Sequence, residues 1–121
     1  MVCLQVIMAK KTSAVVTRTN TDKYTLYTVP PSNRGEWELL YLVSLTGTDS
    51  PSVFFYDSST DTEYKIFGAK NIGTGDYLLL TDAVVVMEEN DQIRVQNSST
   101  NSVTYVVTVN LIQNIASSYH S

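Results

Sequence analysis

Cysteine is almost missing from this chain: Cys3 is the only one in 121 residues, so no intrachain disulfide and no thiolate metal cluster can form. The fold must stand on packing alone. Histidine is as scarce, with only His120, one place before the last residue, where domain ends usually fray, and so a catalytic triad has no base. One Cys and one His at opposite ends cannot supply the spacing of a zinc site. Basic residues number 8 and are scattered, the net charge is -4, and no basic stripe exists to neutralise phosphates. No direct nucleic-acid partner is expected. No apolar run reaches bilayer length: Val2 to Ala9 is too short, lacks a cationic leader and runs straight into Lys10-Lys11, so neither a signal peptide nor a membrane partner is expected. Charged residues are only 17% against 43% hydrophobic, which excludes a disordered chain. A single folded domain remains.

What is abundant is strand-forming material. Fifteen Val, 15 Thr and 6 Ile stand against 5 Ala, and they are joined by 8 Tyr, 3 Phe and 1 Trp. Period-2 alternation predicts strands at about Ala14 to Arg18, Lys23 to Val29, Glu36 to Thr46, Val53 to Tyr56, Glu63 to Ala69, Asp76 to Leu80, Val84 to Met87, Gln92 to Asn97 and Val103 to Ile112. Between them lie Pro30-Pro31-Ser32-Asn33-Arg34-Gly35, Gly47-Thr48-Asp49-Ser50-Pro51, Asp57 to Asp61, Asn71 to Gly75 and Asn97 to Ser102, which supply fixed φ, positive φ or local caps. Short strands at this spacing predict an all-β fold, an antiparallel β-sandwich or jelly roll of about eight strands. The expected division is an N-terminal arm at 1–11, a sandwich at 12–113 and a C-terminal tail at 114–121.

Alternation also assigns faces. In the long strand, Trp37, Leu39, Tyr41, Val43 and Leu45 fall on one side and are expected in the core; Glu36, Glu38, Leu40, Leu42 and Ser44 fall on the other. In the last strand, Val103, Tyr105, Val107, Val109 and Leu111 oppose Thr104, Val106, Thr108, Asn110 and Ile112. A freely exposed outer face should be polar, so Leu40, Leu42, Val106 and Ile112 are expected to lie under another chain. The arm and tail cannot bury enough apolar area to offset their own ordering entropy. Val2, Leu4, Val6 and Ile7 are therefore expected to give apolar area to a neighbour, with Lys10 and Lys11 meeting an acidic surface.

Chemistry is thin by comparison. Glu36 with Glu38, and Glu88-Glu89 before Asp91, read as surface and turn charges, since acid–base work needs carboxyls facing each other across a cleft. Asp49, Asp57 and Asp61 lack the spaced ligands of a calcium loop. Gly73-Thr74-Gly75-Asp76 has no following helix to bind phosphate. Asn97-Ser98-Ser99 matches a glycosylation acceptor of the kind polar turns produce by chance. Tyr56 and Tyr64, flanking one loop, are the plausible outward aromatic pair for sugar stacking. No catalytic residue, no metal site and no cofactor is expected.

Tyr27-Thr28-Val29-Pro30, a Gly-containing loop, the long apolar strand, a Tyr-Asp hairpin, Gly75-Asp76-Tyr77-Leu78-Leu79-Leu80 and Val85-Val86-Met87-Glu88-Glu89-Asn90-Asp91-Gln92-Ile93-Arg94-Val95 come in an order that resembles small β-sandwich virion proteins of tailed bacteriophages. The resemblance covers about residues 23 to 112. It departs at Asn90, where the pattern has Gly, and in the longer Pro-Pro loop. It implies a non-enzymatic virion structural protein, a capsid decoration or cement subunit that stabilises the head through subunit contacts; the alternative is a neck, tail or fibre subunit with a carbohydrate-binding sandwich. The implied partners are other virion proteins, the major capsid protein or neck and tail subunits, and further copies in a homo-oligomer. The implied location is the virion, after synthesis in the host cytoplasm.

Overall fold

The computed structural model describes residues 9–81 and 85–113. Nine strands are formed: β1 (Ala9–Arg18), β2 (Tyr24–Thr28), β3 (Asn33–Ser44), β4 (Ser52–Asp57), β5 (Thr62–Phe67), β6 (Tyr77–Leu80), β7 (Val85–Met87), β8 (Gln92–Gln96) and β9 (Val103–Gln113). They make an antiparallel β-sandwich. The first sheet has the order β1-β9-β3-β6, with β7 pairing farther along β3; the second has the order β2-β8-β4-β5. The path is a long hairpin with β4 and β5 at its tip, whose arms pair β3 with β6 and β7, β2 with β8, and β1 with β9. Rolling that hairpin brings β3 against β9 and β4 against β8, which closes each sheet.

Alternating Val, Ile, Leu and aromatic side chains from both sheets meet in one core. The first sheet supplies Trp37, Leu40, Leu42, Met87, Val103, Tyr105, Val107 and Val109, and the second supplies Val53, Ile93 and Val95; Val29 and Ile72 seal it from the connections. Full burial of each such side chain is worth about 1.5–3 kcal/mol. Tyr105 carries its hydroxyl into this core, where it donates to Asn97 Oδ1 at 2.6 Å. Burial pushes that phenol's pKa far above the ordinary tyrosine value. Asn97 is itself buried, and its Nδ2 donates to the carbonyls of Arg18 and Asn101, both at 2.8 Å. Its amide is engaged in the fold, which supports reading the Asn97-Ser98-Ser99 motif as a turn.

The expected faces of β9 hold, and those of β3 do not. The register of β3 against β9 slips between Trp37 (opposite Val109) and Leu39 (opposite Thr108), so Glu38 is an extra residue in a β-bulge. A bulge resets the alternation. Trp37 points inward as expected, but beyond the bulge Leu40, Leu42 and Ser44 are buried, while Leu39, Tyr41 and Val43 turn outward and Leu45 is exposed. The expectation that Leu40 and Leu42 lie under a neighbouring chain is corrected: both belong to this chain's own core. The Trp37 Nε1 donates to the Leu39 carbonyl at 2.9 Å, which fastens the bulge.

Two buried carboxylates tie the loops together. Asp91 accepts from the Glu88 amide at 2.8 Å, the Ser58 amide at 2.9 Å and Ser58 Oγ at 3.1 Å, which joins the β7–β8 turn to the β4–β5 hairpin. Asp49 accepts from the Ser98 and Ser99 amides at 3.0 Å each and from Ser99 Oγ at 2.6 Å, which joins the β3–β4 and β8–β9 loops. Asn90, where the resembling pattern has Gly, adopts φ 70°, a left-handed conformation that Asn tolerates. The described part of β1 begins at Ala9, which pairs with Ile112, so Lys10 and Lys11 are in the sheet rather than in an arm. The rest of the expected arm, and the tail from 114, lie outside the described residues.

Candidate interaction surfaces

With the core filled, what the molecule can offer a partner is on its two outer faces, and these differ in chemistry. The second sheet's outer face is built from β8, β4 and β5, where Arg94 lies opposite Phe54, Gln92 opposite Tyr56, Lys65 opposite Phe54 and Glu63 opposite Tyr56. Cations cover its rings: Lys23 Nζ lies 4.2 Å from the Phe54 ring centre, Lys65 Nζ 5.7 Å, and the Arg94 guanidinium 3.9 Å from that of Tyr56. Glu63 bridges Lys23 at 2.5 Å and Arg94 at 3.0 Å. Partial burial of Glu63 would raise its pKa, but the hydrogen bonds and charges of Lys23 and Arg94 outweigh it and hold the carboxyl below its ordinary value. The Tyr56 hydroxyl donates to Asp61 Oδ1 at 2.6 Å, a bond that raises the phenol's pKa.

Tyr56 and Tyr64 do not form the expected pair. Tyr64 lies opposite Phe55, with ring centres 6.4 Å apart, while Tyr56 lies opposite Glu63, so the two tyrosines point to opposite faces of the hairpin. The acidic candidates also disperse. Glu36 accepts from Asn110 Nδ2 at 3.3 Å, Glu38 pairs with Lys11 at 3.1 Å, and Glu89 accepts from the Ser32 amide at 2.8 Å. Asp57 accepts from Ser59, whose hydroxyl hydrogen bond lowers the carboxyl's pKa. Asp49 serves the β8–β9 loop, whereas Asp57 and Asp61 both serve the β4–β5 turn. No cluster of three or more metal-ligating side chains occurs among the described residues.

The first sheet's outer face is apolar along its middle. Val15, Val106, Tyr41 and Leu79 stand directly opposite one another on β1, β9, β3 and β6, a single row across the whole sheet. Val15 is 62% exposed and Leu79 49%, with Val106 and Tyr41 half-buried between them. The next row is Thr17, Thr104, Val43 and Tyr77, where Thr17 and Thr104 share a hydroxyl hydrogen bond of 2.8 Å and Tyr77 is 62% exposed. The Tyr41 and Tyr77 rings sit 5.7 Å apart. Away from this face, an apolar recess is lined by Trp37, Leu39, Leu40, Leu80 and Val85 of the first sheet and Ile66 of the second.

Of the residues expected at an interface, Val106 and Ile112 are half-buried on this outer face, Ile112 between Ala9 and Arg34. Lys10 and Lys11 are exposed on β1, and Lys11 meets an acidic group of its own chain, Glu38. Val2, Leu4, Val6 and Ile7 lie outside the described residues, as do Cys3 and His120. Leu39, Tyr41, Val43, Leu79 and Tyr77 were missed. Strict alternation had put the first three in the core, and β6 reads as an unbroken apolar run without a face.

No protein family matches the chain, and no curated protein does either. Solved structures do. A subunit of Bacillus endospore appendages, described as disulfide-linked pili, is 16% identical with a TM-score of 0.56, covering 94% of this chain and 96% of that one. A chain of the acid-stable capsid of Helicobacter pylori bacteriophage KHP30 is 14% identical with a TM-score of 0.53, covering 89% of this chain and 93% of that one. A chain of the cyanophage Pam1 capsid asymmetric unit is 19% identical with a TM-score of 0.49, covering 91% of each chain. At these identities the likeness is one of fold. Among the described residues no helix is long and apolar enough to cross a membrane.

Proposed function

We propose that this chain is a non-enzymatic structural protein of a phage virion, a decoration or cement subunit that stabilises the head by binding its neighbours, other virion proteins and further copies of itself. The observation that carries the reading is the apolar row Val15-Val106-Tyr41-Leu79 on the outside of an otherwise well-satisfied sandwich. The carboxylates described above are taken up in holding loops and strands together, which suits a scaffold better than a catalyst. The rolled hairpin supports reading the sandwich as a jelly roll, an architecture that viral capsid domains use. The KHP30 capsid chain and the Bacillus pilus subunit, both from assemblies, share the fold over nearly their whole lengths. The carbohydrate-binding alternative gains nothing from the Tyr56–Tyr64 pair, because Arg94 covers Tyr56 and Tyr64 faces the other way.

The test is to purify phage particles from cells that carry this sequence and to identify their proteins by mass spectrometry and cryo-electron microscopy. The reading expects the chain in the particle at a copy number set by the shell's symmetry, and expects heads stripped of it to release DNA at a lower temperature. A chain confined to the cell extract, or heads of unchanged stability without it, would overturn the reading.

A further inference from the structure

We infer that the apolar row on the outer face of the first sheet is the docking site for residues 2–7 of a second copy of this chain. The row is straight and four strands wide, roughly 14 Å at the usual strand spacing. Its ends are its most exposed parts, Val15 at 62% and Leu79 at 49%, so the groups at both sheet edges remain to be covered. An extended segment laid across the strands fits that shape.

The sequence supplies such a segment just before β1. Val2-Cys3-Leu4-Gln5-Val6-Ile7 alternates so that Val2, Leu4 and Val6 share one side, and six extended residues span about 20 Å. The segment is apolar on the side it would lay down and long enough to cross the row.

The chain direction then chooses between its own face and a neighbour's. Ala9, Lys10 and Lys11 are already in register with Ile112, Leu111 and Asn110, and Lys11 is fastened to Glu38 at 3.1 Å. To fold back over its own sheet the segment would have to reverse before Ala9, and Val2 to Met8 contains no Gly, Pro, Asn or Asp. A seat on another copy's face needs no such reversal, and that face is the one the inference assigns to the segment. The second sheet's outer face is a poorer seat, because Lys23, Lys65 and Arg94 already cover its rings. The inference deepens the assembly reading above, since it names a partner for the same face, yet it requires no phage particle.

The experiment uses the full chain with Cys3→Ser, into which single cysteines are placed on separate molecules: Leu4→Cys in one, Leu79→Cys in the other. On mixing and mild oxidation a mixed disulfide dimer is expected, well above that formed when Lys65→Cys on the second sheet replaces Leu79→Cys. Val15→Cys, at the other end of the row, serves as a second acceptor should Leu79→Cys fold poorly. In sedimentation, Leu79→Glu and deletion of residues 2–7 should each weaken self-association by about tenfold or more, and together no further than either alone. Cross-linking no better than to Lys65→Cys, or additive losses, would each overturn the inference. A mixed disulfide from a chain that is absent from particles would support this inference and refute the virion reading; a particle-bound chain without it would do the reverse.

Discussion

Deleting Glu38 should leave the sandwich folded, although the residue lies in the middle of its longest strand. Trp37 faces Val109 and Leu39 faces Thr108, so Glu38 has no partner position on β9. Without it, Trp37 in, Leu39 out, Leu40 in, Tyr41 out and Leu42 in becomes ordinary alternation, and every other β3–β9 pairing keeps its register. The losses are the bond from Trp37 Nε1 to the Leu39 carbonyl, worth about 0.5–1.5 kcal/mol, and the exposed Lys11–Glu38 pair, worth about 0–1 kcal/mol. A net cost of about 1–2 kcal/mol corresponds to a fall in Tm of roughly 5–10 °C for a domain of this size. The control is deletion of Val106 from β9, which pairs without a bulge on the β1 side and forces either Val103 and Tyr105 or Val107 and Val109 out of the core. At about 1.5–3 kcal/mol per side chain, that loss approaches the total stability of a small domain. Thermal and urea unfolding followed by circular dichroism separate the two. If the Glu38 deletion unfolds like the Val106 deletion, the extra residue is not what sets the faces of β3, and the assignment of Leu39, Tyr41 and Val43 to the outside fails with it.

Other expectations follow from the loops and the charged face. Asp91→Ala leaves the Glu88 and Ser58 amides without their acceptor and should cost about 2–4 kcal/mol in urea unfolding, with Asp91→Asn intermediate. Tyr105→Phe strands the buried Asn97 Oδ1 and should cost about 1–3 kcal/mol, whereas Tyr41→Phe on the outer face should be close to neutral. Asn90→Gly should be tolerated at φ 70°, while Asn90→Val should destabilise by about 1 kcal/mol or more, both read as Tm shifts. Glu63 has a folded-state pKa below its unfolded value, so its contribution is present above the ordinary carboxylate pKa near 4.5 and is lost as pH falls through the lower folded value. Glu63→Gln should therefore flatten the acid limb of a stability–pH profile and leave its slope near neutrality unchanged.

The strands were legible because period-2 alternation and turn chemistry agree along almost the whole chain, and each of the nine expected strands overlaps an observed one. The geometry at Asn90 was not fixed by alternation: the resemblance departs there, and Asn takes the positive φ because it tolerates that conformation. The bulge was not legible either. Trp37-Glu38-Leu39-Leu40-Tyr41-Leu42 contains apolar residues on both parities, and only the register against β9, a strand some seventy residues downstream, decides which set goes inside. The split between Tyr56 and Tyr64 was hidden in the same way, because the pairing across the hairpin, not the distance along the chain, sets which residues share a face. Asp49 and Asp91 read as turn charges; their burial depends on serines brought up from distant loops, Ser98 and Ser99 for one and Ser58 for the other.

The rolled hairpin dictates an order of events during synthesis. Ser13 on β1 and Thr108 on β9, which share a hydroxyl bond, are 95 positions apart, and β9 is also the strand that separates β1 from β3. While the ribosome is still making the loops, β1 has nothing to pair with, and β3 lacks the neighbour that pairs along its whole length. The first sheet can close only when nearly the last described residue has emerged. Contacts this distant make folding slow relative to a helical domain of equal length. Until then, the nascent chain carries β1 unpaired and β3 with one edge open, and the crowding of identical chains on one polysome is where aggregation competes most strongly. Slower elongation late in the message would lengthen that exposed interval rather than help the chain through it.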